Sequence, residues 1–369
     1  MTEFGSIVFY SIVFAIILYF LYNGKRILAF ERIGIFLLLV LAVLRFDIGF
    51  DYEIYYKDIQ ALKSALDWYG AEYVFNVFET RLEPTFVFLV WLFKGFTHTY
   101  AYVFAVYSML TIYFWYKAFK DNNTVFWSFF VLIVLLYVFN SFDQIRQALA
   151  MSIFLYSLKF LREETKNIKK YSLYILLASA FHLSAILMFV VILFTRFKPR
   201  IKLYLTIIVA CYALGLVGFW SNFILLFFEY SFFYAQYMDL DTQIATNTGR
   251  GYIYTAIVAM YSILMYLTRK DRLYTNILFV GIILFIVASG NLNVNRIANY
   301  FLIVNALSVP LYLKYSRKRN FVLALFLVLV MQFEIRMVIS ECSGCIPYDY
   351  IGSENFERSR LRPRDHQWE

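Results

Sequence analysis

The chain has 369 residues, of which 62% are hydrophobic, 21% aromatic and only 16% charged. That balance excludes an ordinary soluble domain, and apolar runs recur from end to end, so the sequence is that of an integral membrane protein. The net charge of +9 would suggest nucleic acid in a soluble protein. Here the basic residues sit in short clusters between apolar runs, as cytoplasmic loops require, and nucleic acid is not expected as a partner.

Taken in order, apolar runs at 4–23 and 28–44 read as the first two spans. The first has no basic flank before it and no small-residue cleavage site after it, which favours a span over a signal peptide. Residues 45–98 then form one large external loop, with amphipathic segments at 53–66 and 72–80 and an apolar stretch at 84–96 following Glu83. At ~1.5 Å per residue that stretch falls short of a ~30 Å hydrocarbon core, so it is expected to lie along the outer leaflet or dip into it.

Further spans are expected at 100–117, 124–141, 145–161, 201–219, 251–268, 273–289, 296–313 and 320–339. All are expected to be helical, because the bilayer offers no water to unpaired backbone groups. A second external segment, 221–251, is rich in Phe and Tyr, contains Asp239 and Asp241, and ends in the flexible Thr246-Asn247-Thr248-Gly249-Arg250-Gly251. Aromatic residues at 232–237 could stack on sugars or face lipid.

Six basic clusters hold 20 of the 34 Lys and Arg: Lys25/Arg26/Arg32, Lys117/Lys120, Arg162/Lys166/Lys169/Lys170, Arg196/Lys198/Arg200/Lys202, Arg269/Lys270/Arg272 and Lys314/Arg317/Lys318/Arg319. Placing all six in the cytoplasm leaves about 20 of the 25 Asp and Glu outside. This parity decides the run 171–194, which is long enough to cross once. A single crossing would send three later basic clusters outside, so two re-entrant half-helices turning near His182 are expected. The result is an all-α polytopic fold of about twelve transmembrane helices with both termini outside. Residues 1–351 form a single membrane domain, and 352–369 a disordered polar tail.

The polar residues that break the membrane pattern lie on or near the outer side. Arg45 ends the second span, and Asp47 and Asp51 follow it. One of these carboxylates can accept a proton from a hydroxyl while Arg45 holds an anion, or Arg45 can simply pair with Asp47 as an interfacial anchor. In Asp143-Gln144-Ile145-Arg146-Gln147 the arginine shares a helical face with Asp143. It suits a phosphate, whose oxygens match the guanidinium fork, or a structural pair with Asp143. Arg296, in Asn291-Leu292-Asn293-Val294-Asn295-Arg296, repeats the situation, with Tyr300 one turn on.

Three isolated outer arginines at span ends point to a diphosphate site, and His182 is placed to act as a base or as a hydrogen-bonded structural group. Cys342 and Cys345 form a lone Cys-x-x-Cys, which can close a small disulfide or be two incidental thiols, and Cys211 is intramembrane. No metal-ligand spacing, phosphate loop, dinucleotide fingerprint or nucleophile elbow occurs, so no metal or cofactor is expected.

At these residues the sequence resembles the EpsG family of Wzy-type bacterial O-antigen and exopolysaccharide polymerases. The resemblance is carried by Arg45, Phe46, Gly49, Asp51 and Tyr52, with Tyr55 or Tyr56 following, by Arg146-Gln147-Ala148-Leu149-Ala150, by Phe181-His182-Leu183-Ser184, by Arg296 with Tyr300, and by Pro347-Tyr348. It runs from about residue 40 to 350. Phe50 stands where a small polar residue is common, and the tail beyond Tyr350 has no counterpart. The layout also resembles GT-C glycosyltransferases, whose first external loop carries an acidic residue and surface helices.

The resemblance implies a polymerase on the outer, periplasmic face of the bacterial inner membrane. It would move a growing glycan from undecaprenyl diphosphate onto a sugar hydroxyl of a lipid-linked repeat unit. Asp51 is the implied base and His182 the second choice, with Arg45, Arg146, Gln147, Arg296, Tyr300, Tyr52 and Tyr348 on the substrate. Membrane lipids, a chain-length regulator and a flippase are the implied partners. A lipid-linked oligosaccharide flippase, an O-antigen ligase or single-sugar GT-C transferase, and a membrane O-acyltransferase are the competing readings. A transporter would more often show paired halves, and none are visible.

Overall fold

The computed structural model describes residues 2–69, 82–96, 98–162, 166–220, 223, 251–288, 292–315, 319–340, 344–348 and 350. The expectations for 72–80, 232–237, Asp239, Asp241, 246–250, Asn291, Cys342 and the tail 352–369 lie outside the described residues. Every named element among the described residues is helical, and the chain divides into two compact units, Met1–Phe189 with Leu313–Arg362 and Val190–Tyr312 with Pro363–Glu369.

In the first unit, α1 (Glu3–Asn23) pairs with α2 (Leu28–Val43). α1 buries Tyr10, Phe14, Ile17 and Leu21, an i, i+4, i+7, i+11 stripe, and leaves Phe4, Ile12 and Tyr19 exposed. α3 (Tyr52–Tyr69) is the amphipathic helix expected from the sequence and buries Tyr52, Tyr55, Ile59, Leu62 and Leu66 on one face. α4 (Pro84–Phe93) has 10 residues and Pro84 in its first turn, where a missing N–H costs nothing. At ~1.5 Å per residue it is too short to cross a bilayer.

After α5 (Thr99–Asp121) come α6 (Val125–Val134), α7 (Tyr137–Asp143) and α8 (Ile145–Ser157). These last three are apolar on nearly all sides and are buried accordingly. One continuous span was the expectation for 124–141; instead α6 and α7 meet at a 65° bend. Leu136 stands there at φ 64°, a left-handed conformation that costs a leucine about 1–2 kcal/mol and is held by close packing around it.

The half-helix expectation at 171–194 is matched in its geometry. α9 (Ile168–Phe181) stops at His182, whose backbone is extended, and a 3-10 segment (Leu183–Val190) follows. The Tyr171 hydroxyl donates to the Met188 carbonyl at 2.6 Å. Along a straight helix those positions would stand about 25 Å apart, so the segment folds back on itself at His182.

The second unit runs from α10 (Val191–Phe194) through α11 (Ile201–Leu216), α12 (Gly251–Leu267), α13 (Arg272–Ala288), α14 (Leu292–Leu302) and α15 (Asn305–Tyr315). α13 packs on α11, α12 and α14. A Cβ at Gly281 would come within 2.8 Å of the Phe301 Cβ, so glycine is what lets α14 approach. Asn276 is buried but satisfied: its amide donates to Phe194 and Phe197 carbonyls, each at 2.9 Å, and accepts from the Tyr204 hydroxyl at 2.7 Å. The last helix, α16 (Arg319–Ser340), belongs to the first unit, where it packs on α6.

The expected count of about twelve spans is not reached by length and apolarity among the described residues. Glu3–Asn23 and Val294–Lys314 qualify alone, and the bent α6 and α7 pair would make a third. Several apolar stretches fold instead as helices of 10–17 residues, among them Leu183–Phe194, Ile201–Leu216, Tyr254–Leu267 and Arg272–Ala288. Each is shorter than the ~20 residues that a ~30 Å hydrocarbon core takes.

Candidate active site

The loop after α2 is fixed from two sides. Phe46 and Ile48 are buried anchors, and Asp47 and Gly49 have φ of 49° and 100°. A Cβ on Gly49 would lie 2.7 Å from the Asp143 Cα, so only glycine fits both the backbone and the space. The Asp51 N–H donates to Asp143 Oδ1 at 2.8 Å, and the Asp51 carbonyl accepts from the Tyr55 N–H at 3.0 Å as α3 begins. On the other side the Gly49 N–H donates to the Gly344 carbonyl at 3.0 Å, and Arg45 pairs with Tyr350. That C-terminal segment is itself held by α1, through Tyr10 to the Cys345 carbonyl and the Tyr348 N–H to Ser6.

Three residues expected on the substrate are therefore inside the protein. Arg45 is 3% exposed, donates to the Ala42 carbonyl and to Ser108, and lies over the rings of Phe142 and Phe104. Tyr52 is buried against Phe104 and Phe46, and Tyr348 is stacked on Phe9 at 4.7 Å. Gln147 is also buried, on α8.

Arg146 and His182 meet at a residue the sequence did not single out. Glu83, the residue just before α4, accepts from Arg146 Nη1 through Oε2 at 2.5 Å. Its other oxygen, Oε1, is 2.8 Å from His182 Nδ1 and accepts from the Leu183 N–H at 3.3 Å. The three side chains are 12%, 17% and 27% exposed for Glu83, Arg146 and His182, so the cluster opens to the surface on its imidazole side.

Burial alone would raise the Glu83 pKa. The hydrogen bond from His182 and the charge of Arg146 outweigh it and hold the carboxyl at about 2. An ionised carboxylate can only accept, so the imidazole proton facing it is on Nδ1.

The elements explain the placement. Thr85 donates to the Ala180 carbonyl at 2.5 Å, which pins the start of α4 to the end of α9. Phe86 of α4 and Tyr55 of α3 flank the Arg146 guanidinium at 5.3 and 5.2 Å. Asp51 stands directly before α3, four residues ahead of Tyr55, whose N–H donates to the Asp51 carbonyl. Three residues beyond Tyr55, Asp58 is half-buried; burial raises its pKa and the nearby Arg146 charge opposes the rise. Among the described residues no group of three His, Cys, Asp or Glu is arranged to hold a metal ion.

Arg296 and Tyr300 belong to the second unit, on one face of α14, where Tyr300 is fully buried. Glu83 and Asp58 are the additions that tertiary structure makes. Their signals in sequence were slight: a Glu directly before a Pro at the start of an apolar helix, and an Asp one turn from Tyr55 on an amphipathic one.

The sequence model of the EpsG family matches residues 28–350. Neither the comparison with curated proteins nor that with solved structures finds a match.

Proposed function

The chain belongs to the EpsG family, a Wzy-type polymerase-like family, and from that premise we propose a membrane polysaccharide polymerase that uses lipid diphosphate as leaving group. It transfers a growing glycan from undecaprenyl diphosphate to a sugar hydroxyl of a second lipid-linked repeat unit, at the outer face of the inner membrane.

The observation that carries this reading is the cluster in which one carboxylate, Glu83, holds both a guanidinium and an imidazole. The two groups match the two charges that such a transfer develops. As the acceptor oxygen bonds to the donor's anomeric carbon, the carbon–oxygen bond to phosphate breaks and its electron pair leaves on the diphosphate. Arg146, whose planar fork suits phosphate oxygens, stabilises that charge. The hydroxyl proton goes to His182 Nε2, and no nucleotide takes part.

Asp51, the base that the family resemblance favours, directly precedes α3, the helix whose Tyr55 ring faces the Arg146 guanidinium. The family resemblance also assigns Arg296 to diphosphate, and a chain-length regulator and a flippase act as partners in the cell.

The test is gel analysis of surface glycan in a deletion strain carrying wild-type or variant protein. With His182→Ala or Arg146→Ala the surface glycan should carry a single repeat unit while the protein stays in the membrane. Asp51→Asn with full-length polymer assigns the proton to His182, and the reverse pattern assigns it to Asp51. Normal polymer in the deletion strain overturns the polymerase reading, and loss of all surface glycan points to a flippase.

A further inference from the structure

Resting on that reading, we propose that Glu83 is a positioning residue that acts through His182, fixing the imidazole so that Nε2 receives the acceptor proton. Glu83 uses both oxygens, at 2.8 Å from His182 Nδ1 and 2.5 Å from Arg146 Nη1. Neutralising Arg146 would need only one of them. The second oxygen sets the tautomer: with the proton on Nδ1, the lone pair of the neutral ring is on Nε2, which is left to face a substrate hydroxyl.

The ring's backbone is fixed as well. His182 ends α9 with its N–H donating to the Ala178 carbonyl at 2.9 Å, and the next N–H, of Leu183, returns to Glu83. The Thr85 bond to Ala180 holds carboxylate and imidazole in register. The charged and titratable groups around the pair are Arg146 on α8, Tyr55 and Asp58 on α3, and Tyr107 on α5, which meets Phe181 edge-on.

In the transfer step the hydroxyl O–H breaks and its proton bonds to Nε2, while the oxygen bonds to the anomeric carbon. The bond from that carbon to the phosphate oxygen breaks, and its electron pair stays with the diphosphate. Glu83 remains ionised and faces the imidazolium that forms. The proton then passes from Nε2 to water or to the departing diphosphate, which returns the ring to its starting tautomer.

The test uses the full-length protein in lipid nanodiscs, with lipid-linked repeat units extracted from cells lacking the gene as donor and acceptor. Glu83→Gln is expected to lower kcat about 10–100-fold with KM for the donor nearly unchanged. In a His182→Ala background the same change should cost less than about 2-fold, because residues that act as one unit are not additive. Additive losses, or a loss confined to KM, overturn the proposal and leave the polymerase reading intact. Absence of polymer from the wild-type protein sinks that reading instead.

Glu83 also anchors α4, so a second measurement needs no Glu83 variant. With two of the 3 histidines replaced, by His98→Asn and His366→Asn, nitrogen NMR reads the His182 tautomer directly. The proton is expected on Nδ1, and a neutral ring protonated on Nε2 overturns the proposal whatever the activity.

Discussion

Gly49→Ala probes the joint between the loop after α2 and the end of α7. The new methyl carbon would sit 2.7 Å from the Asp143 Cα and 3.2 Å from its N and Cβ. All three atoms belong to Asp143 at or next to the backbone, so no flexible side chain can swing aside. The residue also stands at φ 100°, where an L side chain adds strain.

Overpacking of this kind costs about 1–3 kcal/mol and the backbone strain about 1–2 kcal/mol, so a loss near 3 kcal/mol is expected. For a unit of this size that lowers Tm by roughly 6–12 °C. Thermal melting of the purified protein, followed by the fraction that stays monodisperse, measures it. Asp143→Ala removes the hydrogen bond to the Asp51 N–H together with the one from the Gln144 amide, and should cost about 1 kcal/mol or more, the usual scale of a lost cap. A Gly49→Ala protein that melts within a degree of the wild type would refute the close approach of loop and helix.

Arg146→Lys should not behave as a conservative change. The ammonium cannot span Glu83 and a phosphate with one planar fork, and modal chain length on a surface-glycan gel should fall, with a rate loss of about tenfold or more. The Glu83 carboxyl, held at about 2 and so below its ordinary value, contributes stability that is fully present above the ordinary carboxylate pKa and is lost as pH falls toward 2. Melting temperatures between pH 7 and pH 3 should therefore drop less for Glu83→Gln than for the wild type. Equal drops in both proteins would argue against the pairing. Tyr171→Phe removes the bond to the Met188 carbonyl and should cost about 1 kcal/mol in a melting experiment, through the half-helix pair alone.

Arg146 and His182 were legible as candidates because a guanidinium and an imidazole are conspicuous in apolar surroundings. What joins them was not. Glu83 is 63 residues from Arg146 and 99 from His182, and no periodicity links such positions. Arg45 was conspicuous for the same reason, yet the structure turns it inward onto Ser108 and two phenylalanine rings. A charge at the end of an apolar run marks a helix end, but not the direction in which a long side chain leaves it. The bend at Leu136 was hidden too, since a left-handed leucine in an unbroken apolar run carries no local signal.

The sequence by itself determined the helical class, the amphipathic α3, the short α4 and the reversal at His182. These follow from periodicity, length and charge parity, which act within one element or between neighbouring loops. Tertiary structure decided how Gly49 seats against Asp143, where the apolar runs break, and which carboxylate serves Arg146 and His182. Those outcomes depend on close approach between segments far apart in the chain, where packing in three dimensions, and not local pattern, sets the energy.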